Sequence, residues 1–208
     1  MNSLPQAMKE RIVDEATRLF ADLGFDGTSV QSIAEAVGIR KPSLLYHYPS
    51  KEMLRQAVLE RMLVHWKDDL PRVLSAAQSS GGRLDAALTA MISFFLDRPD
   101  RARLLVREML DRPVAMRQLF HEHLQPWTTL VTDYIRMGQE GGRVHEDLDP
   151  EAYVIQVVTM AVGAVSTGSV AAAMLGAEHD DPVDAQVQEL VRIARCALFK
   201  PRPMQGSP

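Results

Sequence analysis

Residues 28–51, TSVQSIAEAVGIRKPSLLYHYPSK, constrain the fold of this chain more than any other stretch. They predict two short helices joined by a tight turn. Thr28 and Gln31 have the spacing of a capping box, which marks a helix start. Val30, Ile33, Ala34 and Val37 then supply one apolar face at helical spacing. Gly38 follows where a turn needs positive φ without steric penalty. Pro42 stands near the start of the second helix, where a missing N–H costs nothing. Leu44 locks that helix onto the first. A small residue, a turn glycine and an apolar lock at these offsets describe a helix-turn-helix.

The second helix carries Arg40, Lys41, Ser43, Tyr46 and His47, with Lys51 just beyond it. No Asp or Glu lies between Glu35 and Glu52. A short helix with a basic, hydroxyl-bearing outer face suits a major groove and its flanking phosphates. A generic helix pair with a solvated basic face is the bland alternative.

The surrounding residues narrow the choice. Ile12, Ala16, Phe20 and Gly24-Phe25 precede the stretch. Thr28-Ser29-Val30, Ile33-Ala34, Gly38-Ile39, Leu44-Tyr46-His47-Tyr48 and Lys51-Glu52-Leu54 lie within it or close its end. Over residues 9–58 this pattern resembles the DNA-binding region of the TetR family of bacterial repressors. Two positions depart from the family pattern. Tyr48 stands where Phe is common, and Pro42 where many members have Gly or Ala, which bears on the bases read. The resemblance implies that Tyr46, His47 and Lys51 contact phosphates, with Thr28 at the head of the preceding helix. Arg40, Lys41 and Ser43, at the N-terminal end of the second helix, are then the expected base readers.

The 208 residues suffice for one to two domains. With 46% hydrophobic and 24% charged residues, the composition is that of a soluble globular protein. Net charge is −4, so DNA binding must come from a local basic patch. The single Cys196 excludes an internal disulfide and a multi-cysteine zinc site, and is expected as a small buried apolar residue. The N-terminus lacks the long apolar core of a signal peptide, which makes a cytoplasmic location the expectation.

A first helix is expected from Lys9 to Leu23, capped by Gly24. A fourth starts after Ser50 and runs toward Trp66, with Pro71 as a kink or an end. Ser79-Ser80-Gly81-Gly82 reads as a loop. Helices follow at 84–96, at 99–111, at 114–137 with an interruption at Pro126, and after the Asp149-Pro150 start signal. Residues 152–177 carry no charge. Their Gln, Thr and Ser residues, and acidic rather than basic flanks, favour a buried helix over a membrane span. A last helix covers about 182–199, and residues 201–208 read as a disordered tail. No repeat and no convincing strand alternation is present.

His121-Glu122-His123 is metal-like, but residues two apart on a helix point about 200° from each other, so no metal site is assigned. No nucleophile elbow, phosphate loop or dinucleotide fingerprint occurs, and no catalytic residue or cofactor is assigned. Met91, Phe95, Trp127, Tyr134 and Met160 are candidate walls of a largely apolar ligand pocket in the helical body, where the resemblance places ligand sites. Ordinary core is the alternative for each of them. Small residues Ala164, Gly168 and Ala172, with Val187, Val191 and Ala194 on the last helix, are the expected homodimer contact.

The sequence therefore predicts an all-α chain. Residues 1–50 form a three-helix DNA-binding head, and 51–200 a ligand-binding and dimerisation body of about six helices. The expected function is a ligand-responsive transcriptional repressor. It would bind a pseudo-palindromic double-stranded operator as a homodimer and respond to a small, largely apolar effector. An architectural DNA binder without a ligand, and an all-helical enzyme with an interaction module, are the alternatives.

Overall fold

The computed structural model describes residues 4–76, 80–174 and 182–201, with side chains described for 6–64, 86–168, 170–171, 173–174 and 183–201. The expected tail and the side chains of Trp66, Pro71 and Ala172 lie outside these. The described residues are helical apart from loops and one isolated bridge between Val144 and Phe199. No described helix is long and apolar enough to cross a membrane.

The chain divides into two compact units, residues 1–69 with 95–124, and 70–94 with 125–208. This division does not coincide with the boundary expected at residue 50. The reason lies in the partners of the first helix. The first unit holds α1 (Leu4–Gly27), α2 (Val30–Val37), α3 (Lys41–His47), the first part of α4 (Lys51–Ala76), α6 (Pro99–Asp111) and α7 (Pro113–His123). Its core is built on Ile12, Ala16, Phe20, Ile33, Leu44, Leu54 and Val58, all fully buried.

Pairs of opposite charge join α6 to α1. Arg98 reaches Asp14 at 3.3 Å, Arg103 reaches Asp22 at 3.1 Å, and Arg112 reaches Asp26 at 3.8 Å. Arg107 also donates to the Asp22 carbonyl at 3.4 Å. Within this ladder Arg98 pairs with Asp100 at 2.9 Å, and that bond with Asp100 holds its guanidinium above the usual range. On α4, Arg61 pairs with the same Asp14 at 2.7 Å. Arg55 bridges to Glu108 of α6 with both side chains nearly out of solvent. Nothing local in the sequence signals the α1 partners of α6, which lie more than eighty residues away.

The second unit holds most of α5 (Ser80–Leu96), with α8 (Gln125–Glu140), α9 (Pro150–Ser166), α10 (Gly168–Ala172) and α11 (Pro182–Leu198). Ile135, Val144, Val154 and Leu198 form a buried cluster, with Trp127, Val131 and Tyr153 packed against it. Asp149 caps α9 as expected, accepting from Ala152 N at 2.8 Å. The last turn of α11 is clipped to the loop before α9. His145 N donates to Leu198 O at 3.1 Å, and Lys200 N to Arg143 O at 3.0 Å.

The regular part of α1 ends at Gly24 as expected, in the positive-φ region (φ 76°, ψ 167°), and the helix resumes to Gly27 beyond that kink. Several local expectations are corrected. Ser80 opens α5 instead of belonging to a loop. The uncharged stretch breaks at Thr167, between α9 and α10. Cys196 is exposed rather than buried. Gly168 is buried within the chain itself, and a Cβ there would lie 2.7 Å from Val183 Cγ2 of α11. Its small size admits a neighbouring helix of the same chain. Ala194 is likewise internal, at 1% exposure, whereas Ala164, Val187 and Val191 are half-buried.

Candidate nucleic-acid interface

The helix-turn-helix forms through local bonds. Ser29, not Thr28, is the N-cap of α2, and its capping partner is Ser32 rather than Gln31. Ser32 N donates to Ser29 Oγ at 2.9 Å and Ser29 N to Ser32 Oγ at 3.1 Å. Gly38 closes α2 in the left-handed region (φ 78°), and Ile39 N reaches back to Ala34 O at 2.9 Å. Arg11 of α1 donates to Val37 O at 2.9 Å, setting a cation at the negative end of α2. Ala34 and Leu44, both completely buried, then hold α3 against α2.

This packing leaves one side of α3 outward. Arg40, Lys41, Pro42 and Ser43 are exposed, and Tyr46 is 85% exposed. His47 is half-buried, with its ring edge-on to Tyr46 at 5.5 Å between centroids. Arg40 and Lys41 take no ion-pair partner among the described residues, so their charges face solvent. Tyr48 turns inward. Burial pushes its phenol up, offset in part by the Arg61 cation.

Two residues expected at the DNA have their polar groups engaged inside the protein. Thr28 is 1% exposed, and its hydroxyl donates to Gly24 O at 2.7 Å and Leu19 O at 3.1 Å. Lys51 is half-buried, with its ammonium on Phe25 O at 2.8 Å and Thr28 O at 2.9 Å. The same ammonium stands 4.1 Å from the centre of the Phe25 ring. Arg112 lies over that ring at 4.5 Å and Arg55 at 5.7 Å. Phe25 belongs to the head pattern read in the sequence, whereas Arg55, Glu108 and Arg112 are supports of the head that it does not mark.

The candidate ligand residues fall in different places. Met91 and Phe95 are buried, and Trp127, Tyr134 and Met160 are half-buried. Phe95 belongs to the first unit and the other four to the second. The indole N–H of Trp127 is buried and has no hydrogen-bond partner among the described residues. Beside the same cluster, the Tyr153 hydroxyl donates to Ala194 O at 2.9 Å, and burial raises its pKa. Among the described residues no group of three His, Cys, Asp or Glu could hold a metal ion.

An exposed basic helix seated on a helix-turn-helix, attached to further helices, defines a DNA-binding protein of the helix-turn-helix class. The family model for bacterial regulatory proteins of the tetR family matches residues 12–58, and the model for the tetracyclin repressor-like C-terminal domain matches 82–191. This chain belongs to the TetR family. The biofilm operon icaADBC HTH-type negative transcriptional regulator IcaR of Staphylococcus epidermidis is 30% identical over 126 residues, covering 61% of this chain and 66% of that protein. The HTH-type transcriptional regulator RutR of Escherichia coli K12 is 35% identical over 122 residues, 54% of this chain and 53% of that protein. The chain thus spans between half and two thirds of the curated relatives it matches. A transcriptional regulator structure from Saccharomonospora viridis, in complex with choline, superposes with a TM-score of 0.69 at 19% identity, covering 93% of this chain and 98% of that one. Its likeness shows the fold.

Proposed function

We propose that the chain is a transcriptional repressor that binds a pseudo-palindromic operator as a homodimer and releases it when an effector enters the body. The observation that carries this reading is the outward face of α3. Arg40, Lys41, Ser43 and Tyr46 are exposed together, and neither cation has an ion-pair partner among the described residues. Arg40 and Lys41 lie at the end of the helix that enters the groove and are the base readers, with Ser43 beside them. Tyr46 and His47 lie later and meet the backbone. Such a protein works where the genome is, in the cytoplasm.

The homodimer is supported by exposed apolar side chains on the second unit, Ile155 on α9 and Ile193 on α11 among them. Effector response is supported by the orphan Trp127 N–H, because a buried donor without an acceptor is costly and a ligand oxygen would satisfy it. Beyond Glu151, α9 carries no charged residue and so no cation to pair with a carboxylate, which suits a neutral, largely apolar effector better.

Selection from random duplexes tests the reading. The wild type should enrich a pseudo-palindrome. Lys41→Ala should relax preference at one position per half-site, costing about 1–3 kcal/mol there. Enrichment of no sequence refutes operator binding, and unaltered base preferences in Lys41→Ala refute the assignment of base reading.

A further inference from the structure

Lys51 is the first residue of α4, where a cation opposes the helix dipole. Its ammonium does not extend into solvent from that position. It turns back across the head, to the carbonyls of Phe25 and Thr28 and to the Phe25 ring. An ammonium has three donors. Two are engaged by carbonyls and the ring stands beside them. Reaching a phosphate would require both carbonyl bonds to break.

What those bonds hold is the approach to α2. Thr28 immediately precedes the Ser29 cap, and its buried hydroxyl is tied to α1. Lys51 follows α3. Its two bonds therefore close a loop that contains both helices of the helix-turn-helix. The entrance of α2 and the exit of α3 are fixed to one another through a single side chain, and Arg112 grips the same Phe25 ring.

We infer that Lys51 is a positioning residue for operator reading, setting the angle at which α3 is presented, and not a phosphate contact. The inference rests on the DNA-reading function proposed above. Its test uses the full-length protein, the operator selected by the wild type, and two variants. Lys51→Met removes the charge. Phe25→Leu removes the ring that the Lys51 and Arg112 cations pack on, and keeps the charge and both carbonyls. Operator affinity is measured across a range of salt concentrations, with base preferences, at a temperature where each variant is folded.

Both variants are expected to bind roughly tenfold or more weakly, to relax preference across the whole half-site, and to keep the wild-type slope of log K against log salt. A fall of about 0.9 in that slope for Lys51→Met, with Phe25→Leu unaffected, would show a phosphate contact and overturn the inference. Wild-type affinity and base preference in folded variants would show a role in stability alone, and overturn it as well. If Lys51→Met does not fold, Lys51→Gln, which keeps an N–H donor for the carbonyls without the charge, decides between the same outcomes. A wild-type protein that selects no duplex sinks the DNA-reading function itself, which these comparisons keep separate.

Discussion

Replacing Arg55 by Met is expected to destabilise the first unit severely. Glu108 keeps 4% of its side-chain surface and Arg55 15%, so the ion pair between them is largely shut off from water. Methionine preserves the apolar bulk beside Phe25 but removes the cation. The Glu108 carboxylate is then buried without a counter-charge, a situation that costs about 3–5 kcal/mol. The lower part of that range is the better estimate here, because Arg55 Nε is itself buried without a partner and the native pair is incompletely satisfied. A loss of about 3 kcal/mol is a large share of a typical stability of 5–15 kcal/mol. With a urea m-value of about 2 kcal/mol/M, the midpoint should fall by about 1.5 M. The double substitution Arg55→Met with Glu108→Leu removes both charges and should recover most of the loss. Urea denaturation followed by circular dichroism measures all three proteins. A single variant within 1 kcal/mol of the wild type, or a double variant no better than the single, would mean that water reaches this pair and the reasoning fails.

Two further outcomes concern the second unit. Ile193→Glu places a charge on an exposed apolar position of α11; sedimentation should then show monomer, and an unchanged dimer would move the interface off this face. Trp127→Phe keeps an aromatic ring but deletes the orphan donor. Compounds that displace the wild type from its operator should bind this variant about 0.5–1.5 kcal/mol more weakly by calorimetry, and equal affinity would place the indole N–H outside the effector site.

The helix-turn-helix was legible because its determinants are local. The apolar spacing of Val30, Ile33, Ala34 and Val37, the Gly38 turn and the Leu44 lock all fall within fifteen residues of sequence. The outward set on α3 followed from the same periodicity. Thr28 and Lys51 did not, since the direction of a side chain depends on what packs opposite it. For Lys51 that partner is a pair of carbonyls at the far end of the head. The attachment of α6 was hidden for a related reason. Its arginines meet acids of α1 at separations such as 84 and 81 residues, which no sequence window spans. Gly168 shows a third limit. Small-residue spacing announces that a helix comes close, but not whether that helix belongs to the same chain, and here it is Val183 of α11 that fills the space.

The charge ladder between α1 and α6 bears on how DNA affinity is to be interpreted. Its Arg–Asp pairs are open to solvent, with side-chain exposures of 35% or more for Arg98, Arg103 and Arg112. Pairs of this kind are individually weak and are screened as the Debye length shrinks, from about 10 Å at 0.1 M salt to about 3 Å at 1 M. Added salt therefore acts on the protein twice, once by competing with phosphates for Arg40 and Lys41, and once by loosening the helix that braces α1 beneath them. The second effect has no stoichiometric counterpart on the DNA. A titration that converts the salt exponent directly into a number of neutralised phosphates will count bonds that lie wholly inside the protein.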